Sequence, residues 1–144
     1  MLVLAISSFA TFRWVLVPIR TEGISMLPTY QSGSLKFANR LAYMSAKPER
    51  GDIVAIRLAG PHVVYVKRVI GLPGETVAFV DGQVLINGTP LQEPYVRNRR
   101  PWNLDGVTLG PREYFVVGDN RGMRIELHDL GTVRRDRIVG QMLW

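Results

Sequence analysis

The sequence predicts a mainly β fold with an N-terminal transmembrane helix, and three observations carry that expectation. After residue 20 the chain falls into short apolar runs rich in Val, Ile and Tyr, broken at close intervals by Gly, Pro and Asn, as strands and turns require. The run FVDGQVLING sets Asp81-Gly82 between two such stretches, the dipeptide that supplies the positive φ angles of a tight hairpin. Residues 1–19, in contrast, are apolar apart from Arg13 and a few hydroxyls, about the length that crosses a hydrocarbon core.

Taken in order, the first segment has Pro18 as a natural exit. It lacks the basic front region and small-residue cleavage site of a removable leader, so it reads as a retained anchor. Arg13 is tolerable near an interface, where it snorkels beside Trp14. The alternative is an ordinary apolar helix or strand packed on the core. No basic residue precedes the segment, so its flanks do not orient it. Strands are expected at 34–39, 52–57, 62–70, 76–80, 83–86, 113–117 and 137–143. Residues 88–110, where prolines punctuate a run of Arg, Asn and Trp without period, read as a long loop. The frame is an anchor at 1–19 and one β-rich domain at 20–144, with no repeat, low-complexity tract or heptad.

Composition narrows the chemistry. At 144 residues, 47% of them apolar, the chain can bury one real core but not two. There is no cysteine, which excludes disulfides, thiolate metal sites and a cysteine nucleophile. The two histidines, His62 and His128, stand in no metal-binding spacing, so a zinc hydrolase is not expected. A net charge of +6 suits nucleic acid or an anionic membrane surface. The clusters Arg97, Arg99, Arg100 and Arg134, Arg135, Arg137 are not interleaved with stacking aromatics, so they read as solvated or lipid-facing charge, and no nucleic-acid partner is expected.

Two residues stand out as reactive. Ser25 lies between Gly23 and Pro28 in GISMLPTY, where regular helix is disfavoured and a hydroxyl can project from irregular backbone. Serine needs a base, because its hydroxyl does not ionise at neutral pH; without one, a turn or cap role is the plainer reading. In HVVYVKRVIGLPGETV an extended reading puts Val63, Tyr65, Lys67 and Val69 on one face and Val64, Val66, Arg68 and Ile70 on the other. A lysine on an apolar face loses hydration of its charged form, which frees the amine to accept a proton. Arg68 keeps its charge and suits a bracing ion pair. A sheet edge with Lys67 in water is the competing reading.

Taken together, SMLPT at 25–29, RGDIVAIR at 50–57, KRVIGLPGE at 67–75 and GDNR at 118–121 resemble bacterial type I signal peptidases, in that order and spacing and over nearly the whole chain. The resemblance implies a β-rich catalytic domain held against the cell membrane by a single span, on its extracytoplasmic side. It implies Ser25 as acylating serine and Lys67 as general base, with Asp119 near the site and Arg68 and Arg121 supporting it. The substrate is then the signal peptide of an exported preprotein, with small residues at the first and third positions before the cut. No metal or organic cofactor is needed. Pocket walls are expected from Ile24, Met26, Leu27, Tyr65 and Val66.

The chain departs from the family pattern twice. Gly23 stands where many members carry a serine that helps bind the oxyanion, which puts that work on the backbone N–H of Ser25. After GDNR the family's Ser-x-Asp-Ser-Arg run is replaced by Arg124, Ile125, Glu126, Leu127 and His128. Arg124 would then sit where a serine touches the lysine, and Glu126 with His128 would form a replacement bracing pair. The alternatives are another Ser/Lys maturation peptidase, and a noncatalytic membrane-tethered β module that binds peptides. The sequence does not set the oligomeric state.

Overall fold

The structure is a computed structural model that describes residues 14–57 and 64–143. Its strands are β1 (Leu16–Arg20), β2 (Leu35–Asn39), β3 (Ile53–Arg57), β4 (Val64–Gly71), β5 (Thr76–Val80), β6 (Gln83–Ile86), β7 (Thr89–Pro90), β8 (Leu104–Thr108), β9 (Glu113–Val117), β10 (Gly131–Arg134) and β11 (Ile138–Met142). They form a seven-stranded sheet in the order β1-β2-β11-β3-β4-β9-β10 and a four-stranded sheet in the order β7-β6-β5-β8. All pairings are antiparallel.

The expected strands at 76–80, 83–86 and 113–117 form with those bounds, and the other four form within a residue or two. The β5–β6 hairpin turns on Asp81 at φ 48° and Gly82 at φ 79°. Glycine is needed there a second time, because a Cβ on residue 82 would lie 2.3 Å from the carbonyl oxygen of Arg100. Asn87 at φ 50° and Gly88 at φ 79° repeat the turn between β6 and β7.

Two expectations change. Leu16–Arg20 is not the end of a helix but a strand, paired along its length with β2; Ile19 is buried beside Met26 and Ala38. Residues 1–13 of the expected anchor lie outside the described residues, and among those described no helix is long and apolar enough to cross a membrane. The segment 88–110 is not one loop. It holds β7 and β8, and it buries Glu93 and Trp102. β8 pairs with β5 despite Asp105 and Gly106, so the neighbouring strand, rather than local propensity, makes it a strand.

Three apolar clusters hold the molecule together. Val54, Ile56, Val69 and Val116 lie in one on a face of the large sheet. Ala55, Met26, Tyr30 and Met142 lie in another, joined by the half-buried Val64 and Val66. Val69 and the pair Val64 and Val66 thus separate into different clusters, as the alternation in β4 requires. Ile70, Phe79, Trp102 and Phe115 fill the third, which joins the small sheet to the large one. Gly71 sits where β4 shifts register against β9, and a Cβ there would come within 2.8 Å of both Leu109 and Phe115.

Candidate active site

Strand β4 sets the site. Its pairing with β3 runs from Val64 to Arg68, but β9 joins it only at Arg68, opposite Val117. Beyond Val117 the chain leaves the sheet as Gly118-Asp119-Asn120-Arg121. Residues 64–67 therefore have a second edge to which no described strand is bonded. Lys67 stands at the end of that edge.

The loop carrying Ser25 is tied at its neck. The Thr21 hydroxyl contacts the carbonyls of Gln31 and Ser34, and Gly33 N–H returns to the Thr21 carbonyl. Gly23 sits at φ 84°, a conformation in which any side chain is strained, so glycine suits this turn where other members carry serine. Three residues after β9 then grip the loop. Asn120 donates its backbone N–H to the Ser25 carbonyl at 2.9 Å and its side-chain amide to the Ile24 carbonyl at 3.0 Å. Gly118 lies against that same Ser25 carbonyl, leaving no room for a Cβ. Asp119 accepts the hydroxyl of Thr29.

This clamp brings Ser25 Oγ to 3.1 Å from Lys67 Nζ. Lys67 is 3% exposed and makes no ion pair among the described residues. Burial pushes the lysine below its ordinary pKa, and the charge of Asp129 offsets this in part. Its neighbour Arg68 is also buried but fully engaged. Nε and one terminal nitrogen reach the two oxygens of Asp119 at 2.8 and 2.6 Å, and the other nitrogen donates to the Gly51 carbonyl. Tyr95 lies under its guanidinium at 3.9 Å. Arg121 forms a second buried fork, onto both oxygens of Glu93, and its Nε donates to the Gly118 carbonyl. Tyr95 donates its hydroxyl to Glu93 and so connects the two forks.

Comparison with known proteins shows the family. The family model described as "Signal peptidase, peptidase S26" matches residues 1–144. The chain belongs to this family. The peptidase is 35% identical to signal peptidase I V of Bacillus subtilis (strain 168), over 88% of this chain and 83% of the relative. It is 40% identical to signal peptidase I T of the same organism, over 85% of this chain and 69% of the relative. It is also similar to the crystal structure of a signal peptidase I from Enterococcus faecalis V583, with a TM-score of 0.54 and 31% identity, covering 68% of this chain and 98% of that one. The protein is thus an enzyme, a serine peptidase of the signal peptidase I type, and membership supports cleavage of signal peptides.

Of the residues singled out in the peptidase sequence, Ser25, Lys67, Arg68, Asp119 and Arg121 converge here. The pairing expected of Glu126 and His128 does not form. Glu126 is exposed and faces Arg124 at 3.3 Å, because the 3-10 turn Ile125–Leu127 points both outward. Arg124, 69% exposed, does not reach the lysine. His128 is buried edge-on against Trp102, with Nε2 3.0 Å from the Asn120 carbonyl and Nδ1 unpartnered. Burial lowers its pKa to about 4, so it is a neutral wedge behind the clamp rather than half of an ion pair. Among the pocket residues, Ile24 is exposed and Leu27, Tyr65 and Val66 are half-buried, while Met26 packs into the core behind them. Sequence reasoning missed Thr29, Glu93, Tyr95 and Asn120. Asn120 was within reach as part of GDNR; Glu93 and Tyr95 carried no local signal. Among the described residues no cluster of carboxylates and histidines is arranged to hold a metal.

Proposed function

We propose that the peptidase cleaves by a Ser25/Lys67 dyad. The observation that carries this reading is the contact of the Ser25 hydroxyl with a lysine amine that is dehydrated and has no carboxylate partner among the described residues. In that setting the neutral amine takes the serine proton while Oγ attacks the scissile carbonyl; the ammonium so formed gives that proton to the leaving amine as the C–N bond breaks, and the regenerated amine then activates the hydrolytic water that releases Ser25 from the acyl group. The Ser25 N–H has no acceptor among the described residues and is available to the oxyanion.

The unpaired edge of residues 64–67 supports the mode of binding. An extended signal peptide adds to it as a strand, with main-chain hydrogen bonds for affinity and small pockets near Ile24, Leu27, Tyr65 and Val66 for choice of side chain. Asp119, Arg68, Arg121 and Glu93 position the clamp and do not touch the reacting atoms. Tethering through the N-terminal part of the expected 1–19 anchor, apolar over residues 1–12 apart from a few hydroxyls, with the catalytic domain on the extracytoplasmic face, would raise the effective concentration of membrane-bound precursors.

The test is cleavage of a preprotein by the Ser25→Ala and Lys67→Ala variants. Each should lose at least about a hundredfold in kcat/KM, the lower end of what a positioned base contributes. Full activity in either variant would falsify the dyad.

A further inference from the structure

A groove of about 780 Å³, open to solvent, begins beside the nucleophile. Ile24, the residue before Ser25, forms its near lip, and Asn120, which holds the Ser25 carbonyl, forms part of its wall. Arg99, Arg100 and Arg124 line it, with the exposed Leu127 at its rim and no acidic residue in the lining. The arginines are only loosely committed. Arg100 is fixed through Nε by the Gly122 carbonyl and pairs with no carboxylate among the described residues. Arg124 has only Glu126 at 3.3 Å, and the two are mostly exposed. Arg99 approaches Glu93 at 3.3 Å, but Glu93 is already held by both terminal nitrogens of Arg121.

None of the β4 edge residues contributes to this groove. Ile24 adjoins Ser25 in the chain and Asn120 holds the Ser25 carbonyl, so a peptide lying on residues 64–67 up to the cut and continuing past Ser25 would meet the groove at these two residues. With the small pockets filled by residues before the cut, this basic surface meets residues after it. Resting on the Ser25/Lys67 reading, we infer that Arg100 and Arg124, with Arg99, form a subsite for acidic side chains just after the cut, so that the enzyme favours preproteins whose new N-terminal segment is acidic.

The test uses the full chain and three preproteins that differ only at the second to fourth residues after the cut, carrying Asp, Ser or Lys. The quantity read is the ratio of kcat/KM for the Asp substrate to that for the Lys substrate. It is taken within each enzyme, so the fraction of a variant that folds cancels. The unaltered enzyme should favour Asp roughly five- to tenfold, as two partly exposed ion pairs would supply, and the preference should shrink at high salt. Arg124→Glu should lower the ratio below that of the unaltered enzyme, and Arg100→Glu with Arg124→Glu should invert it. A ratio near one in the unaltered enzyme, or one that these substitutions leave in place, overturns the subsite while cleavage of the Ser substrate leaves the dyad standing. If the same variants instead lose binding to phosphatidylglycerol vesicles with the ratio unmoved, the surface serves lipid and the subsite is overturned. If the unaltered enzyme cleaves none of the three, the dyad reading falls and the subsite with it.

Discussion

Lys67 and Arg68 are adjacent on one strand, nearly equally buried, and face opposite sides of the sheet with opposite fates. On Arg68's side a carboxylate, a carbonyl and an aromatic face meet the guanidinium. On Lys67's side the nearest recorded polar partner is one hydroxyl. Burial is therefore not what separates a structural cation from the one proposed as base. A paired cation keeps its charge and stiffens its surroundings, whereas a dehydrated one without a counter-ion is driven toward the neutral, basic form.

The comparison breaks most sharply at Asp119. Asp119→Ala leaves Arg68 buried without its counter-ion, and it also releases Thr29, part of the loop that carries Ser25, from the clamp. It should cost about 3–5 kcal/mol of stability, read by urea denaturation. Replacing the two together, Arg68→Met with Asp119→Leu, should cost less than Asp119→Ala alone, because no uncompensated charge remains. A double variant as unstable as the sum of its single variants would mean that these groups act separately.

Lys67 sharpens the same comparison through pH. Its folded pKa lies below the ordinary 10.5, and burial is the main cause. Between the lowered value and 10.5 the unfolded chain binds a proton that the folded chain does not, so stability rises with pH across that window. In Lys67→Met this rise should be absent. On the proposed dyad the activity should follow the same titration. A base has to be neutral to act, so kcat/KM should fall about tenfold for each pH unit below the folded pKa and level off above it. A profile that keeps climbing to pH 10.5 would mean that the amine is hydrated.

Much of this was legible because the signals are local. Asp81-Gly82 dictates its own turn, β5, β6 and β9 carry β-branched and aromatic runs between breakers, and the alternation in β4 already separated Lys67 from Arg68. What stayed hidden depends on distant partners. Leu16–Arg20 reads as readily as the end of a membrane helix as it does as a strand, and only its pairing with β2 decides. Leu104–Thr108 contains Asp and Gly, and becomes a strand because β5 offers it an edge. Glu93 looks like a loop carboxylate until Arg121, 28 residues later, folds onto it. The run from Arg124 to His128 misled for the same reason: matching residue types to a family pattern says nothing of which side a 3-10 turn presents, and here it turns Glu126 to water and His128 inward.

The smallest expected effect tests whether that last distinction is real. Arg124 and Glu126 are of opposite charge and in contact, as Arg68 and Asp119 are, yet their side chains are 69% and 64% exposed. Water solvates each nearly as well as the partner does, and salt screens what attraction remains. Glu126→Ala should therefore change stability by less than about 0.5 kcal/mol. It should also leave the pH profile of Lys67 in place, since Glu126 does not face the lysine. It does remove the carboxylate that pairs with Arg124 among the described residues, so the preference for acidic residues after the cut should grow slightly. A large loss of stability would restore Glu126 to the bracing role that its place in the sequence suggested, and would mean that the turn at Ile125–Leu127 faces the other way.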